Sequence, residues 1–247
     1  MLWQLLRRFK TSGSLRCLGP IDVSSMLEKL LKECADKAAA IIVKDAALQE
    51  NLKTDNYLVT DWMSDPKVCA AARLLQDQAV IAYPTESVWG LGCDPGSFDA
   101  VEKLLQLKGR SVSKGLILIA ASAEQFAPLL RGLEPSALKR FQMPQQKPTT
   151  WLVPNNGVTP EWIGGGHDTL ALRITNHPLA AALCRLFGGP LVSTSANPQG
   201  LPAAINADQA RGYFGQAVDC YTPGSVGGAA KPSEIRHLMT GDIVREG

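Results

Sequence analysis

The sequence predicts an α/β protein with a mixed β-sheet, and two observations support this class. Short apolar runs that are typical of buried strands alternate along the chain with amphipathic stretches of helical length. The composition, with 45% hydrophobic and 19% charged residues in a chain of 247, is that of a globular protein that buries a full core. We therefore expect a twisted mixed sheet with flanking helices in one principal domain.

Helices are expected where apolar residues recur at helical spacing behind a capping residue or a proline. Pro66 stands in the first turn of one such segment, Ser97 caps another, and Gly188-Gly189 ends a third. In chain order, helices are predicted over residues 25–50, 65–76, 97–107, 122–130, 135–141, 177–187 and 206–214.

Strands are expected where short apolar runs or an apolar alternation stand between turn residues. Pro84 stops the first of these runs, and residues 169–174 alternate in the manner of a strand. In chain order, strands are predicted over residues 79–83, 116–120, 149–153, 169–174, 191–194, 218–221 and 243–245. Residues 51–62, 108–115 and 155–166 are predicted loops.

Formal charge is unevenly placed along the chain. Residues 1–21 carry four bases and no acid, residues 22–62 carry three more acids than bases, and residues 63–247 have one excess base. The first 21 residues have the composition of an organelle transit peptide, but an over-long or appended start is the interpretation that we favour. We expect a partly helical extension over residues 1–62 and a single compact domain over residues 63–247.

Composition and motif searches disfavour several classes of protein. The net charge of +2 disfavours a protein that binds nucleic acid mainly through gross charge. No two of the six cysteines lie within four residues, so no C-x-x-C pair exists and reduced thiols are expected. No apolar run approaches the roughly 18 residues of a membrane span, and we expect a cytoplasmic protein. The chain also lacks a G-x-x-x-x-G-K-[ST] loop and a G-x-S-x-G elbow.

The segment YPTESVWGLG, residues 83–92, is the first candidate site. It leads from a strand through a proline turn to hydroxyls, one carboxylate, an aromatic residue and two glycines. Ligands of α/β sheets sit at strand ends, and glycines allow a ligand to approach the backbone closely. A simple turn with a buried Trp89 is an equally good interpretation.

The segment KGRSVSKG, residues 108–115, places three cations within seven residues between a helix and a buried strand. A triphosphate needs several cations and free amides, which a hydroxyl- and glycine-bearing loop supplies. The alternative is a solvated surface loop, which is the usual role of a short charge run.

The segment STSAN, residues 193–197, follows directly after a strand. Clustered small hydroxyls and an amide at a strand end are able to bind phosphate or ribose. A helix N-cap explains serine and asparagine at this place equally well.

These three segments, in this order and with LALR at residues 170–173 between the second and the third, resemble the YrdC/TsaC family of threonylcarbamoyl-AMP synthases in its short, single-domain bacterial form. The resemblance covers roughly residues 68–246. It implies a YrdC-like α/β domain whose twisted mixed sheet surrounds a concave basic cavity.

The resemblance also implies a nucleotidyltransferase reaction. L-Threonine, bicarbonate and ATP would give L-threonylcarbamoyl-AMP and pyrophosphate, with Mg²⁺ bound through the triphosphate. Downstream threonylcarbamoyl-transfer proteins would then modify adenosine 37, beside the anticodon, in tRNAs that read codons beginning with A. Contact with RNA or tRNA is a further implied interaction. An RNA-binding module that uses the same basic cavity without turnover is the alternative, and the near-neutral charge argues against it.

Roles for single residues follow from the matching motifs. Lys108 and Arg110 match the K-x-R of the family and are implied as catalytic residues that stabilise the phosphates and the leaving pyrophosphate. Nucleotide contacts are implied for Arg110, Lys114, Thr169, Ser195, Asn197 and Arg245. Threonine contacts are implied for Ser87, Arg173, Ser193 and Ser233, where Arg173 would pair with the carboxylate of the amino acid. No metal-ligating side chain is implied.

One segment departs from the family pattern. The family usually has W-P-G-P-x-T before the strand at Thr150, whereas this chain has QQKP over residues 145–148, followed by Thr149 and Thr150. Pro148 and Thr150 are kept, and the aromatic residue, the first proline and the glycine are missing. A sequence alteration and a weakened enzyme are the two interpretations of this departure.

Overall fold

A mixed β-sheet runs through the part of the chain that the computed structural model describes, residues 61–247. Its strands are β1 (Ile81–Pro84), β2 (Trp89–Gly92), β3 (Ile117–Ala120), β4 (Thr149–Pro154), β5 (Thr169–Ile174), β6 (Leu191–Ser195), β7 (Cys220–Tyr221), β8 (Glu234–His237) and β9 (Ile243–Arg245). Their order in the sheet is β7-β1-β2-β6-β3-β5-β4-β8-β9. Parallel pairs (β1 with β7, β3 with β5, β4 with β8) stand beside antiparallel ones, which confirms the predicted mixed α/β class.

The helices of the described residues flank this sheet. They are α1 (Pro66–Gln76), α2 (Phe98–Lys108), α3 (Ala127–Leu130), α4 (Pro135–Gln142), α5 (Glu161–Gly164), α6 (Pro178–Phe187) and α7 (Ala207–Phe214). The predicted cap Ser97 accepts a hydrogen bond from the amide of Ala100, and Asp65 caps α1 by accepting from the amides of Lys67 and Val68. Gly188 ends α6 in the left-handed conformation.

Two hydrophobic clusters form the core. Val80 and Ala82 belong to one cluster, and Ile81 and Tyr83 belong to the other. Successive side chains of a strand point to opposite faces, so the clusters lie on the two faces of the sheet. Helices α1 and α6 contribute to the second cluster. Both faces of the sheet are therefore covered, so a ligand can reach the sheet only at the loops that connect its strands.

Several boundaries differ from those that the sequence predicts. Strands β2 and β8 were not predicted, since β2 has two glycines among its four residues and β8 is mostly polar. The predicted loop over residues 155–166 contains the short helix α5. The predicted helix over residues 122–130 is a 3₁₀ turn, Ala123–Phe126, followed by α3.

The predicted extension lies almost wholly outside the described residues. This applies to the transit-like stretch over residues 1–21, the helix over residues 25–50 and most of the loop over residues 51–62. The domain boundary near residue 63 therefore stays a prediction. Within residues 61–247, no helix is both long and apolar enough to cross a membrane. In the same range, Cys69, Cys93, Cys184 and Cys220 are free thiols, as expected.

Candidate active site

A cavity of about 260 Å³ lies between the β1–β2 turn, the end of β6 and the segment before β8. Strand pairing explains why these places meet: β2 lies between β1 and β6, and β6 lies beside β3. Eight residues predicted from the sequence line this cavity: Ser87, Arg110, Arg173, Ser193, Ser195, Asn197, Ser233 and Arg245. We call it the central cavity.

A second cavity of about 270 Å³ adjoins the first and shares Arg110 and Arg245 with it. The predicted residues Lys114 and Thr169 line this part, together with His167. We call it the side cavity. The two cavities together reach the size of a small-molecule site, for which about 300–1,000 Å³ is usual. All predicted site residues except Lys108 therefore line one or both of these adjoining cavities.

Positive charge dominates the walls of this space. Arg110, Arg173 and Arg245 line the central cavity, and Lys114 lines the side cavity. No carboxylate lines either cavity among the residues that the structure describes. A site of this kind favours a ligand with several negative charges, such as a polyphosphate or a carboxylate.

Arg110 follows Gly109, the left-handed residue that caps the end of α2. Its Nη2 donates hydrogen bonds to the backbone oxygens of Gly115, at 3.0 Å, and Lys114, at 3.4 Å. These bonds fold the loop over residues 108–115 back on itself, while Nε is buried and has no partner. Burial lowers the pKa of the Arg110 guanidinium, which still keeps its charge at neutral pH. Arg110 thus presents a fixed, incompletely paired cation to both cavities.

Arg245 and Arg173 reach the central cavity from two other strands. Arg245 in β9 donates from Nη2 to the backbone oxygen of Ser233 at 2.6 Å. Burial and the nearby charge of Arg173 lower the pKa of Arg245. Arg173 in β5 is itself buried, and its Nε has no hydrogen-bond partner. Unpaired guanidinium donors are costly in a buried place, and a bound anion would satisfy them.

The hydroxyl segment over residues 193–197 borders the central cavity at the end of β6. Asn197 donates from Nδ2 to the backbone oxygens of Leu201, at 2.7 Å, and Pro198, at 3.1 Å. Its Oδ1 is buried without a partner. No helix begins after this segment before α7, so the alternative of an N-cap is wrong.

Lys108 is the predicted residue that lines neither cavity. It is only 5% exposed, and its ammonium group donates to the backbone oxygens of Ser195 and Asn197, the latter at 2.7 Å. Its own backbone oxygen accepts a hydrogen bond from the amide of Gln199 at 2.8 Å. Burial, helped by the charge of Arg110, lowers the pKa of Lys108 to about 8. In this structure Lys108 holds the hydroxyl segment in place, and its direct catalytic contact stays a prediction.

The other two alternatives are also resolved by the geometry. The segment over residues 83–92 is both a hairpin turn with a buried Trp89 and part of the cavity wall, through Ser87 and Gly90. The loop over residues 108–115 is not simply a solvated surface loop, because Lys108 is buried and Arg110 faces two cavities.

Several residues of the site were not predicted. Thr150 hydrogen-bonds the Ser233 hydroxyl, with 2.9 Å between the two oxygens, and both residues are buried. Gln199 accepts a hydrogen bond from the Lys114 ammonium at 3.2 Å. Glu86 forms an ion pair with Arg173. The partners in these three pairs are 83, 85 and 87 positions apart, so no local pattern could have indicated them.

The departing segment over residues 145–148 borders neither cavity. Gln146, Lys147 and Pro148 line a separate hollow of about 440 Å³, on whose wall Glu86 also lies. The backbone oxygen of Pro148 accepts a hydrogen bond from the amide of Glu234 at 2.9 Å, next to the start of β4. This part of the departing segment therefore supports β8, next to the Ser233 that lines the central cavity.

Comparison with known proteins agrees with this geometry. The model of the Sua5/YciO/YrdC family, described as telomere recombination, matches residues 73–247. A threonylcarbamoyl-AMP synthase of Cellvibrio japonicus is 51% identical over 185 residues, 75% of this chain and 98% of that protein. One of Pseudomonas fluorescens is 50% identical over 188 residues, 76% of this chain and 99% of that protein.

A solved structure resembles the chain as well. Sua5 of P. abyssi, complexed with L-threonine, has a TM-score of 0.63 and 31% sequence identity. The match covers 69% of this chain and 50% of Sua5, so the chain spans about half the length of that protein.

The sheet and its basic cavities define a YrdC-like α/β protein with a site for anionic ligands. The family match covers most of the chain and the curated relatives are matched over nearly their whole length. The chain belongs to the Sua5/YciO/YrdC family.

Proposed function

We propose that the chain is a threonylcarbamoyl-AMP synthase, an enzyme that makes L-threonylcarbamoyl-AMP and pyrophosphate from L-threonine, bicarbonate and ATP. The observation that carries this proposal is the pair of adjoining cavities, lined by three guanidinium groups, one ammonium group and several hydroxyls. The curated relatives at about 50% identity carry this activity as their name, which supports the same assignment.

In this proposal the central cavity takes the amino acid, next to Arg110 and Arg245, which line both cavities and hold the phosphates. Arg173 pairs with the threonine carboxylate, and Ser87, Ser193 and Ser233 provide hydroxyls for its polar atoms. L-Threonine is the ligand of the P. abyssi Sua5 structure, which supports this half of the assignment. The unpaired Nε of Arg173 gives the carboxylate a donor with which to bond.

The side cavity and the hydroxyl segment take the nucleotide. Arg110, Lys114 and Arg245 hold the triphosphate, while Thr169, Ser195 and Asn197 contact the rest of the nucleotide. Lys108 is proposed to act in catalysis by fixing the hydroxyl segment, since its ammonium group donates to the backbone oxygens of Ser195 and Asn197 in that segment.

The chemistry needs positioning and no covalent nucleophile of the protein. The threonine amine attacks the carbon of bicarbonate, with loss of water, or of CO₂, with loss of a proton from nitrogen, and forms a carbamate. A carbamate oxygen then attacks the α-phosphorus of ATP, and the bond to the β-phosphate oxygen breaks to release pyrophosphate. Arg110 and Arg245 stabilise the negative charge that develops on the leaving pyrophosphate.

Magnesium is proposed to be held through the oxygens of the triphosphate and to neutralise part of its charge. Within residues 61–247 there is no cluster of three or more His, Cys, Asp or Glu residues that could hold a metal ion. The arginines and Lys114 therefore supply the remaining positive charge. Transfer of the product to tRNA by partner proteins and a cytoplasmic location belong to the same proposal.

The test measures pyrophosphate from ATP, with threonine and bicarbonate each left out in turn. Arg110→Ala is expected to lower kcat/KM for ATP by about a hundredfold or more, the range found when a preorganised charge is removed. Arg185→Ala, an exposed arginine on α6, is the matched control and should leave the rate unchanged. Binding of tRNA without any threonine-dependent pyrophosphate would instead support the alternative of an RNA-binding module.

A further inference from the structure

Glu86 is a buried carboxylate that the proposed reaction does not use. It stands in the β1–β2 turn directly before Ser87, which lines the central cavity, and it is 9% exposed. A charged carboxylate is rarely buried unless it is paired, and here its two oxygens have different partners.

One oxygen of Glu86 is held firmly by the segment after β5. Oε1 accepts a hydrogen bond from the Thr175 hydroxyl at 2.7 Å and one from the Asn176 amide at 3.0 Å. Thr175 is itself buried, and its amide donates to the backbone oxygen of Ala120 at 2.9 Å. The carboxylate plane is therefore fixed relative to the sheet.

The other oxygen faces Arg173. Oε2 lies 3.5 Å from Arg173 Nη2, and the side chains are 12% and 10% exposed. Burial raises the pKa of the Glu86 carboxyl, but the Arg173 charge and the hydrogen bonds from Thr175 and Asn176 outweigh it and leave that pKa lowered. The carboxylate is thus charged at neutral pH, opposite the guanidinium.

The geometry of the pair leaves Arg173 free to bind a ligand. Oε2 lies 3.5 Å from Arg173 Nη2 and accepts no hydrogen bond, so Glu86 does not form the bidentate pair that would occupy the guanidinium donors. Arg173 Nε remains unpaired. The Glu86 carboxylate thus attracts the Arg173 guanidinium at Nη2 and leaves Nε available for a ligand.

We propose that Glu86 is a positioning residue, which orients the Arg173 guanidinium toward the carboxylate of the amino acid substrate. This inference rests on the proposed function, in which Arg173 binds threonine. Glu86, the glutamate of the YPTES segment over residues 83–87, would thereby act on substrate binding without contacting the substrate. Without the Glu86 carboxylate, the Arg173 guanidinium would be free to turn toward the triphosphate that Arg110 and Arg245 hold.

The test compares KM for L-threonine with KM for ATP, measured by pyrophosphate release. Glu86→Gln is expected to raise KM for threonine by about tenfold, as loss of a charge-assisted contact does, and to change KM for ATP by less than about twofold. Glu102→Gln, which removes an exposed carboxylate on α2, is the matched control and should change neither constant. An unchanged threonine KM, or an equal rise in both constants, would overturn the inference.

A double-mutant cycle distinguishes positioning from a general structural role. If Glu86 acts through Arg173, adding Glu86→Gln to Arg173→Gln should raise the threonine KM by less than about twofold further. Independent effects that multiply would contradict this. If Glu86→Gln does not fold, Thr175→Val provides the test instead, because it removes the hydroxyl that donates to Glu86 Oε1. Thr175→Val should raise KM for threonine and leave KM for ATP unchanged. Thr175→Ser, which keeps a hydroxyl, should have the wild-type KM for threonine.

Calorimetric titration with L-threonine separates this inference from the proposed function. If the wild-type chain neither binds threonine nor releases threonine-dependent pyrophosphate, both proposals fail. If the wild-type chain does both and Glu86→Gln matches it, only the role of Glu86 fails.

Discussion

Lys108 illustrates, at the scale of single residues, how burial changes the role that a motif predicts. The K-x-R pattern indicates two cations on the phosphates, yet the two side chains have different surroundings. Arg110 lines both cavities, whereas Lys108 is buried and donates to the backbone of the hydroxyl segment. Charge-assisted bonds to two carbonyls fix that segment more firmly than a solvated lysine could.

The lowered pKa of Lys108 predicts how stability depends on pH. Its pKa is about 8 in the folded chain against an ordinary 10.5, so the unfolded chain binds more protons between these values. The contribution of Lys108 to the free energy of unfolding therefore rises with pH across this window. Between about pH 7 and pH 10, the wild type should gain roughly 1–3 kcal/mol relative to Lys108→Met, measured by urea unfolding.

The control for this experiment is Lys67→Met on the exposed side of α1. The difference in the free energy of unfolding between Lys67→Met and the wild type should be the same at both pH values. If the difference in the free energy of unfolding between Lys108→Met and the wild type is also independent of pH, the lysine is not held in the buried position described here.

At the scale of elements, β2 shows why a strand escaped detection. Its sequence is Trp-Gly-Leu-Gly, and glycine is unfavourable in strands. The sheet nevertheless requires glycine at the last position. A Cβ on Gly92 would lie 2.6 Å from the backbone oxygen of Val192 and 2.8 Å from Tyr83 Cε1. The absent side chain allows β1, β2 and β6 to approach, and their turns form the wall of the central cavity.

Gly92→Ala is therefore expected to destabilise the chain by roughly 1–3 kcal/mol, because the overlap is with backbone and a buried ring. The measurement is the free energy of unfolding in urea. Gly212→Ala is the matched control. Gly212 lies in α7 with nothing within 4 Å of an added Cβ, so alanine should stabilise the helix by about 0.5–1 kcal/mol. Equal effects at both positions would contradict the close approach at Gly92.

At the scale of the whole molecule, the core indicates where a self-sufficient domain begins. Among the described residues, both clusters consist of buried side chains between Val68 and Leu238. Trp62 is the earliest described residue that packs against them. The central and side cavities also lie within this range or close to its end, with Arg245 on the last strand.

A chain that starts at Met63 is accordingly expected to fold and to keep threonine-dependent pyrophosphate release within about threefold of the full chain. It should melt slightly lower than a chain that starts at Asp61, because the contact of Trp62 is lost. Thermal denaturation and the pyrophosphate assay measure both effects. A shortened chain that is unfolded would refute the predicted boundary near residue 63.

Much of the fold follows from local signals. Ser97 caps a helix as predicted, and Asp65 and Asn206 cap helices at the residues where the sequence predicts those helices to begin, because capping depends on residues within one turn. Strand β5 has the predicted bounds, because its alternation matches the pleat. Strand β8 escaped prediction, since Glu-Ile-Arg-His carries little apolar signal and is ordered by pairing with β4.

The sequence by itself determined the α/β class, the helix caps, the buried strands and the set of basic and hydroxyl residues that line the cavities. Only the tertiary structure decided that Lys108 supports the hydroxyl segment and that Glu86 faces Arg173. The reason is that these contacts join residues 87 to 89 positions apart, across strands whose order the local pattern does not encode.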